Sequence, residues 1–511
     1  MSHLQEPGNG YYCANRENCQ MPRKRNAQVD MDGAEFKKAG YRLIDQLGDF
    51  IDQIGQKPVT ADKSPAQLSE ILGRNPLPEH GQPAIAIVDR AADLLCNFSL
   101  LNGHPRFLGY ITSSAAPIGA LADLLAAAVN PNVGAHILSP MATAIEKQVI
   151  KWLGELIGLP PCYDGILVSG GNMANFTAFF AAVHAKVPES KAGGIAASPA
   201  RPLVYCSRTT HTWIEKAAAL SGLGGDSIRW IATDKANRMD LHALQEVLQA
   251  DKNSNQRPIM IIGTAGDVST GAVDDLKGIA EICKRHDCWL HIDGAYGLPA
   301  AAIPEQRRHF EGMAEADSIA LDPHKWLYAP LEAGCTLVKN PNHLIQTYSS
   351  HPVYYNFNQE DQPEARNYYE YGFQNSRGFR ALKVWMVLQQ AGRKGYMEMI
   401  ATDIRLAALL FRLASQHAEL EAITQNLSIT TLRYRPPGLP EDQLNQLNEL
   451  LLNDLQRNGE VFLSNAVIDN KYCLRACIVN FRTSDSDIEE IVEIILRGGR
   501  KAADHIKNKS V

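Results

Sequence analysis

From Met31, the stretch "MDGAEFKKAGYRLIDQLGDFIDQI" places Phe36, Tyr41, Leu43, Ile44, Leu47, Phe50, Ile51 and Ile54 at helical spacing. That pattern predicts an amphipathic helix. A Pro-rich connection follows, and then a second helical stretch over residues 64–73. The middle of the chain repeats one unit. A short β-branched run ends in Gly, Ser, Thr or Asp, and a helical segment comes next. "GILVSGGNMANFTAFFAAVHA" and "PLVYCSRTTHTWIEKAAALSG" are two such units. "SIRWIAT" precedes the helical "DLHALQEVLQA", and "PIMIIGTAGDVSTGAV" leads to "DLKGIAEICKRH". "WLHIDGAYG" and "SIALDPHKW" close the series. Strands alternating with helices predict a mainly parallel sheet covered on both faces. Ligands then belong beyond the carboxyl ends of the strands. Ser169, His211, Thr264, Asp293 and Lys325 all fall there.

After about residue 375 the texture changes. "SRGFRALKVWMVLQQAGRKGYMEMIATDIRLAALLFRLAS" reads as one long helix. "LSITTLRYRP" and "CLRACIVNFRT" read as strands, with helices near 441–457 and 485–497. This divides the chain into a polar tail (1–28), a helical segment (29–103), a large α/β domain (104–385) and a small α+β domain (386–511).

A length of 511 residues fits two or three domains better than one core. Charged residues make up 21% and the net charge is −6, so no basic excess argues for nucleic acid or anionic membrane. The basic "PRKR" lies in the polar tail and reads as solvated. The ten cysteines include no CxxC, which reads as reduced thiols in a cytosolic setting. The first residues carry no basic-then-apolar signal pattern. "APIGALADLLAAAV" is too short to span a membrane. The expectation is a soluble cytoplasmic protein, with no metal site.

Lys325 stands out. Its amine falls among Ile319, Leu321, Trp326, Leu327 and Tyr328, where a charge is costly to bury. An amine there can form a Schiff base with an aldehyde, and the commonest aldehyde cofactor is pyridoxal 5′-phosphate. Such a site needs a lysine, an acid for the pyridine nitrogen, a phosphate cradle and cover for the ring. Asp293 ends a strand and suits the ring nitrogen. Ala295 is small enough to lie against one ring face, and His211 suits the other. The turn Gly170-Gly171-Asn172 precedes a helix, where backbone N–H groups suit a phosphate dianion. Singly each residue has a bland reading as cap, turn or packing residue; jointly they follow the order cradle, His, Asp, Lys.

With these residues in place, the chain resembles the group II pyridoxal-phosphate-dependent decarboxylases, the family of aromatic L-amino-acid, histidine and glutamate decarboxylases. The likeness runs from about Met31 to the C-terminus. It rests on "HPRFLGYITSS", "SGGNMANFTAFFAA", "THTWIEKA", "HIDGAYG", "DPHKW", "SRGFRALKVW" and "LRACIVNFRT". The resemblance implies fold type I and a homodimer with shared active sites, the segment 29–103 wrapping the partner. It also implies the roles given above for Lys325, Asp293, Ala295, His211, Gly171 and Asn172. Thr264 joins the cofactor set, His324 precedes the lysine as in the family, and Arg475 matches a family arginine near the substrate.

The resemblance further implies a mobile catalytic loop between Val353 and Arg377. Counting back from "SRGFRALK" puts the loop tyrosine at Tyr368, with Tyr369 and Tyr371 as rivals. Tyr368 would then return a proton to Cα after CO₂ leaves, His211 assisting. A tyrosine there implies simple decarboxylation rather than aldehyde formation. Tyr110 and Thr112 fall in the substrate segment. Ala135 stands where aromatic enzymes resemble one another in having phenylalanine. His136 either binds an acidic group or only packs. Asp322 replaces a frequent asparagine. The substrate is therefore an L-amino acid, aromatic or else small and acidic or basic (glutamate, aspartate or 2,4-diaminobutyrate type). An aldehyde synthase or aminotransferase is the more distant alternative.

Overall fold

A computed structural model describes residues 27–350 and 365–509. They fall into two compact units. The first comprises residues 27–52 and 63–98, the second residues 53–62 and those from 99 onward.

The first unit is helical: Gly33–Gln53, whose last residue falls in the second unit, Pro65–Leu72 and Ala84–Phe98. Ser64 starts the middle helix with a capping box. Its hydroxyl accepts from the Gln67 N–H, and the Gln67 side chain accepts from the Ser64 N–H. Asp89 ties the outer two helices by accepting from Arg42 Nε (2.7 Å) and Gln46 Nε2 (2.8 Å). Phe36, Tyr41, Ile44, Ile87 and Leu95 are exposed.

The second unit holds two sheets. Seven strands form the larger: β1 (Asp164–Val168), β2 (Pro202–Ser207), β3 (Ile228–Ile231), β4 (Arg257–Thr264), β5 (Trp289–Asp293), β6 (Ser318–Leu321) and β7 (Gly334–Val338). Their spatial order is β1-β7-β6-β5-β4-β2-β3. Only β7 runs against the rest, pairing antiparallel with both β1 and β6. The other pairings are parallel. Successive residues face opposite sides, and both sides are apolar. Leu203, Tyr205, Ile261 and Leu290 join one core with the helices Pro140–Ile157 and Leu276–His286. Val204, Cys206, Met260 and Ile262 join another with Phe179, Trp213 and Ile214. Each such large side chain contributes about 1.5–3 kcal/mol by leaving water. The apolar run 116–129 is mostly the helix Pro117–Val129.

The smaller sheet contains β8 (Leu420–Asn426), β9 (Ile429–Tyr434), β10 (Ser464–Ile468) and β11 (Lys471–Cys477), ordered β10-β11-β9-β8 and antiparallel throughout. Leu444, Leu447, Leu451, Ile488 and Ile491 close its core from the helices Glu441–Asn458 and Asp485–Lys509. The long helix Arg380–Gln416 is broken at Gly392 (φ 62°, ψ 172°), a conformation open to glycine alone at little cost. Among the described residues no helix is long and apolar enough to cross a membrane.

Candidate active site

Register brings the strand ends together. Thr264 at the end of β4 pairs with Asp293 at the end of β5, and Asp293 pairs with Ala320 in β6. On the other side of β7, Val168 at the end of β1 pairs with Gly334. A cavity of 740 Å³ opens over these ends. Gly170, Gly171, Asn172, His211, Thr264, Asp293, Ala295, His324 and Lys325 line it, as do Tyr110, Thr112 and Arg475. The expected positions thus meet from segments up to 365 residues apart.

Lys325 rides a tight turn after β6. Its N–H donates to Asp322 O at 3.0 Å, and the Ala329 N–H donates to Pro323 O at 3.1 Å. The next residues anchor the turn. Trp326 is fully buried and stacks on Tyr296 at 5.1 Å. The Trp326 indole donates to Asp403 Oδ2 at 2.8 Å, and the Tyr328 hydroxyl donates to the same oxygen. Burial pushes the Asp403 carboxyl up to about 7, while the two donors hold it from rising further. The Lys325 side chain stays partly open, with Nζ 3.1 Å from Asp322 Oδ2.

Asp322 is fully buried, also 3.8 Å from His324 Nε2, and neither of its oxygens has a well-formed hydrogen bond. It stands against the start of the helix Gly171–Lys186. A Cβ on Gly171 would lie 2.5 Å from Asp322 Oδ2, so only glycine fits. His324 Nδ1 lies 2.7 Å from Ala333 O, and the Ser113 hydroxyl donates to His324 O at 2.9 Å. Burial lowers the basicity of His324, so the ring is neutral near pH 7.

His211 stands at the cavity wall. The helix begins two residues later, at Trp213, rather than at His211. Its Nδ1 accepts the Trp213 N–H at 3.3 Å, which leaves the proton of the neutral ring on Nε2. Lost solvation lowers its pKa first, with nearby Asp293 opposing. Asp293 Oδ2 accepts from the Trp213 indole at 2.8 Å.

Arg475, at 2% exposure, reaches the cavity from β11. Its Nη1 donates to Ser464 Oγ (2.8 Å) and Tyr110 O (3.2 Å), while Nε and Nη2 have no partner among the described residues. A buried guanidinium with free donors is suited to an anion. Ser464 and Asn465 of β10 also line the cavity. No local pattern pointed to them, because "SNAVI" is too short and mixed to read as a strand.

Three expected positions lie elsewhere. Ala135 is buried away from the cavity, and His136 starts a short turn, its N–H donating to Asn367 Oδ1 at 3.1 Å. Tyr368 is the position expected for the loop acid. It is fully buried in the turn Tyr368–Glu370, with Arg377 4.9 Å and Arg366 5.7 Å from its ring centre. Two ion pairs, Arg366–Asp164 and Arg377–Glu146, hold that position closed. Burial raises its hydroxyl well above the ordinary range, with nearby Arg366 opposing, and the hydroxyl has no well-formed hydrogen bond among the described residues. Tyr369 and Tyr371 are buried too. The remainder of the expected loop, to residue 364, lies outside the described residues.

The donor set fits one group. A glycine turn at a helix start offers N–H groups to a dianion, an acid faces the cavity from the end of β5, and an amine stands on a rigid turn beside both. Together with the sheet, this defines a pyridoxal-phosphate-dependent enzyme of fold type I. Known proteins agree. A profile described as the pyridoxal-dependent decarboxylase conserved domain matches residues 65–435. The aromatic-L-amino-acid decarboxylase of Bacillus atrophaeus is 31% identical over 471 residues, spanning 92% of this chain and 96% of its own. Tyrosine decarboxylase 4 of Petroselinum crispum is 28% identical over 474 residues, covering 90% and 92%. The Oryza sativa TDC, solved with PLP and tryptamine, superposes with a TM-score of 0.87 at 24% identity, over 92% of this chain and 99% of that one. The chain belongs to the pyridoxal-dependent decarboxylase family, and it is a carboxy-lyase for an amino acid.

Proposed function

We propose that the enzyme decarboxylates an aromatic L-amino acid to its amine and CO₂. The observation that carries this reading is the Lys325 amine, held beside Asp322 on a fixed turn in the cavity that Asp293 and the Gly170–Asn172 turn also line. Bound pyridoxal phosphate supplies an electron sink for the bond to the departing carboxylate. Lys325 holds the cofactor by its aldehyde, and Asp322 steadies the ammonium whenever that amine is free. Backbone N–H groups of Gly170, Gly171 and Asn172 bind the phosphate at the helix start. Asp293 keeps a proton on the ring nitrogen, and Thr264 beside it completes that wall. Ala295 and His211 would cover the two ring faces, and His324 would pack beside the lysine. His211, at the cavity wall, is the described residue placed to relay a proton to Cα, taking one up at its ring as it passes one on.

Aromatic specificity is supported by the names of the relatives and by Tyr110, Ile111, Met173 and Leu331, which give the cavity apolar and aromatic surface. Thr112 lies among them. A second reading, a small acidic substrate, is favoured by the free donors of Arg475. A screen of L-tyrosine, L-tryptophan, L-DOPA, 5-hydroxytryptophan, L-glutamate, L-aspartate and 2,4-diaminobutyrate for CO₂ release decides between them. The highest kcat/KM is expected for an aromatic substrate; preference for glutamate or aspartate overturns that choice. Keto acid in place of amine would make the enzyme an aminotransferase, and aldehyde with peroxide an aldehyde synthase.

The same reading makes the enzyme a homodimer with shared active sites. Support comes from apolar surface on the helix Pro117–Val129, where Leu121, Leu124, Leu125 and Val129 are exposed, and from Ile137, Leu138 and Met141. Ala135 and His136 adjoin that surface in sequence and would reach a partner's substrate. Residues 29–103 serve as a dimerisation segment, ahead of a cofactor domain (104–385) and a small domain (386–511). The cysteines among the described residues are free, which supports a cytoplasmic setting.

A further inference from the structure

The acid at the end of β5 has a partner behind it. Trp213 donates its indole N–H to Asp293 Oδ2 at 2.8 Å, and the Ala295 N–H reaches Asp293 Oδ1 at 3.2 Å. Trp213 is fully buried. Its ring lies edge-on to Phe179 at 6.2 Å and to His291 at 5.7 Å. His291 precedes Asp293 by two residues, on the same face of β5, and is itself locked. The Trp289 indole donates to Ser318 Oγ at 2.7 Å, so the Ser318 hydroxyl proton turns to His291 Nδ1 at 2.9 Å. His291 Nε2–H then donates to Asn175 Oδ1 at 2.7 Å. Burial lowers the His291 pKa to about 4, so this ring is neutral at pH 7. The wall behind Asp293 is therefore made of neutral groups, while the charged and titratable side chains His211, Asp267, Asp322, His324, Lys325, Glu332 and Arg475 line the cavity with it.

We propose that Trp213 is a positioning residue: its indole N–H fixes the Asp293 carboxylate and sets how strongly that acid holds the cofactor's ring nitrogen. This deepens the decarboxylase reading and rests on Asp293 being the acid that faces the cofactor. A buried N–H donor is a strong, charge-assisted partner for a carboxylate. It also stops rotation about the last side-chain bond, so the lone pairs left over point consistently. A phenylalanine at 213 would keep a ring among Phe179 and His291 and remove only the donor.

Trp213→Phe and Trp213→Leu both lack the N–H, and either serves if the other does not fold. Phe179→Leu loosens the same packing and keeps the N–H. Each apoprotein is titrated with pyridoxal phosphate for its dissociation constant, each holoenzyme is titrated with pH through its visible band, and thermal midpoints report folding. The 213 variants are expected to bind cofactor about tenfold more weakly or worse, the range for a hydrogen bond to a charged group. The pH midpoint of their visible band should also move. Phe179→Leu should lower the thermal midpoint and leave both cofactor readouts at the wild-type value. The proposal falls if a 213 variant matches wild type in affinity and pH midpoint, or if Phe179→Leu shifts both as far. Wild type without a visible band, or without a borohydride label on Lys325, would instead sink the reading beneath it.

Discussion

Lys325 combines a partly open amine with a backbone that cannot shift, because Trp326 and Tyr328 are buried on either side of the turn's exit. Lys325→Ala is expected to abolish both the visible band near ~420 nm, a rough value for a lysine-linked pyridoxal, and CO₂ release. A spectrum and a turnover assay check this. Tyr368 is the opposite case. Its hydroxyl is buried and has no well-formed hydrogen bond among the described residues. Tyr368→Phe is expected to keep kcat within about twofold and to leave the thermal midpoint unchanged or raised. A hundredfold loss of amine release, or diversion of product to aldehyde, would return Tyr368 to the chemistry. The lysine was legible because an amine among apolar residues has few other uses. The burial of the tyrosine was not legible, because spacing in a sequence does not reveal that two arginines close over a ring.

At the level of elements, two buried carboxylates hold the site's supports. Glu146, from the helix Pro140–Ile157, pairs with Arg377 Nη2 at 2.6 Å and accepts the Leu167 N–H of β1 at 3.0 Å. Arg377 also donates to Leu167 O and Val133 O. Glu146→Ala leaves a buried cation unpaired and should cost about 3–5 kcal/mol, read from urea unfolding. Asp403 joins the long helix to the lysine turn. Its folded pKa of about 7 lies above the unfolded value near ~3.9. The folded state thus binds its proton more tightly. The stability contributed by that proton is complete below about pH 4 and is lost as pH rises through about 7. The difference in thermal midpoint between wild type and Asp403→Asn should accordingly move against wild type from pH 5 to pH 8; a constant difference would refute the assignment. The strands β1 to β6 were visible as apolar runs closed by Gly, Ser, Thr or Asp. β8 and β10 were not, because "LEAITQN" and "SNAVI" carry polar residues on edge strands of a half-covered sheet.

For the whole molecule, the exposed leucines of the helix Pro117–Val129 predict the oligomeric state. Leu124→Glu and Leu125→Glu together should shift sedimentation from dimer to monomer and lower activity in parallel, as shared sites require. A wild-type monomer at micromolar concentration would remove the dimer reading. The sequence motifs carried the cavity's inventory, but its assembly came from register, which no local pattern encodes. Arg475 and Tyr110 meet across 365 residues. β7 shows what that register does. A Cβ on Gly334 would lie 2.6 Å from the Gly170 backbone, so the strand begins directly under the phosphate turn, and its other neighbour leads into the lysine turn. The two turns are thus two strand spacings apart, about 9–10 Å. Main-chain pairing acts as a ruler between the two points proposed to grip a cofactor at either end. Side-chain substitutions can retune what is held there, whereas the span itself changes only if a strand is inserted, deleted or slipped.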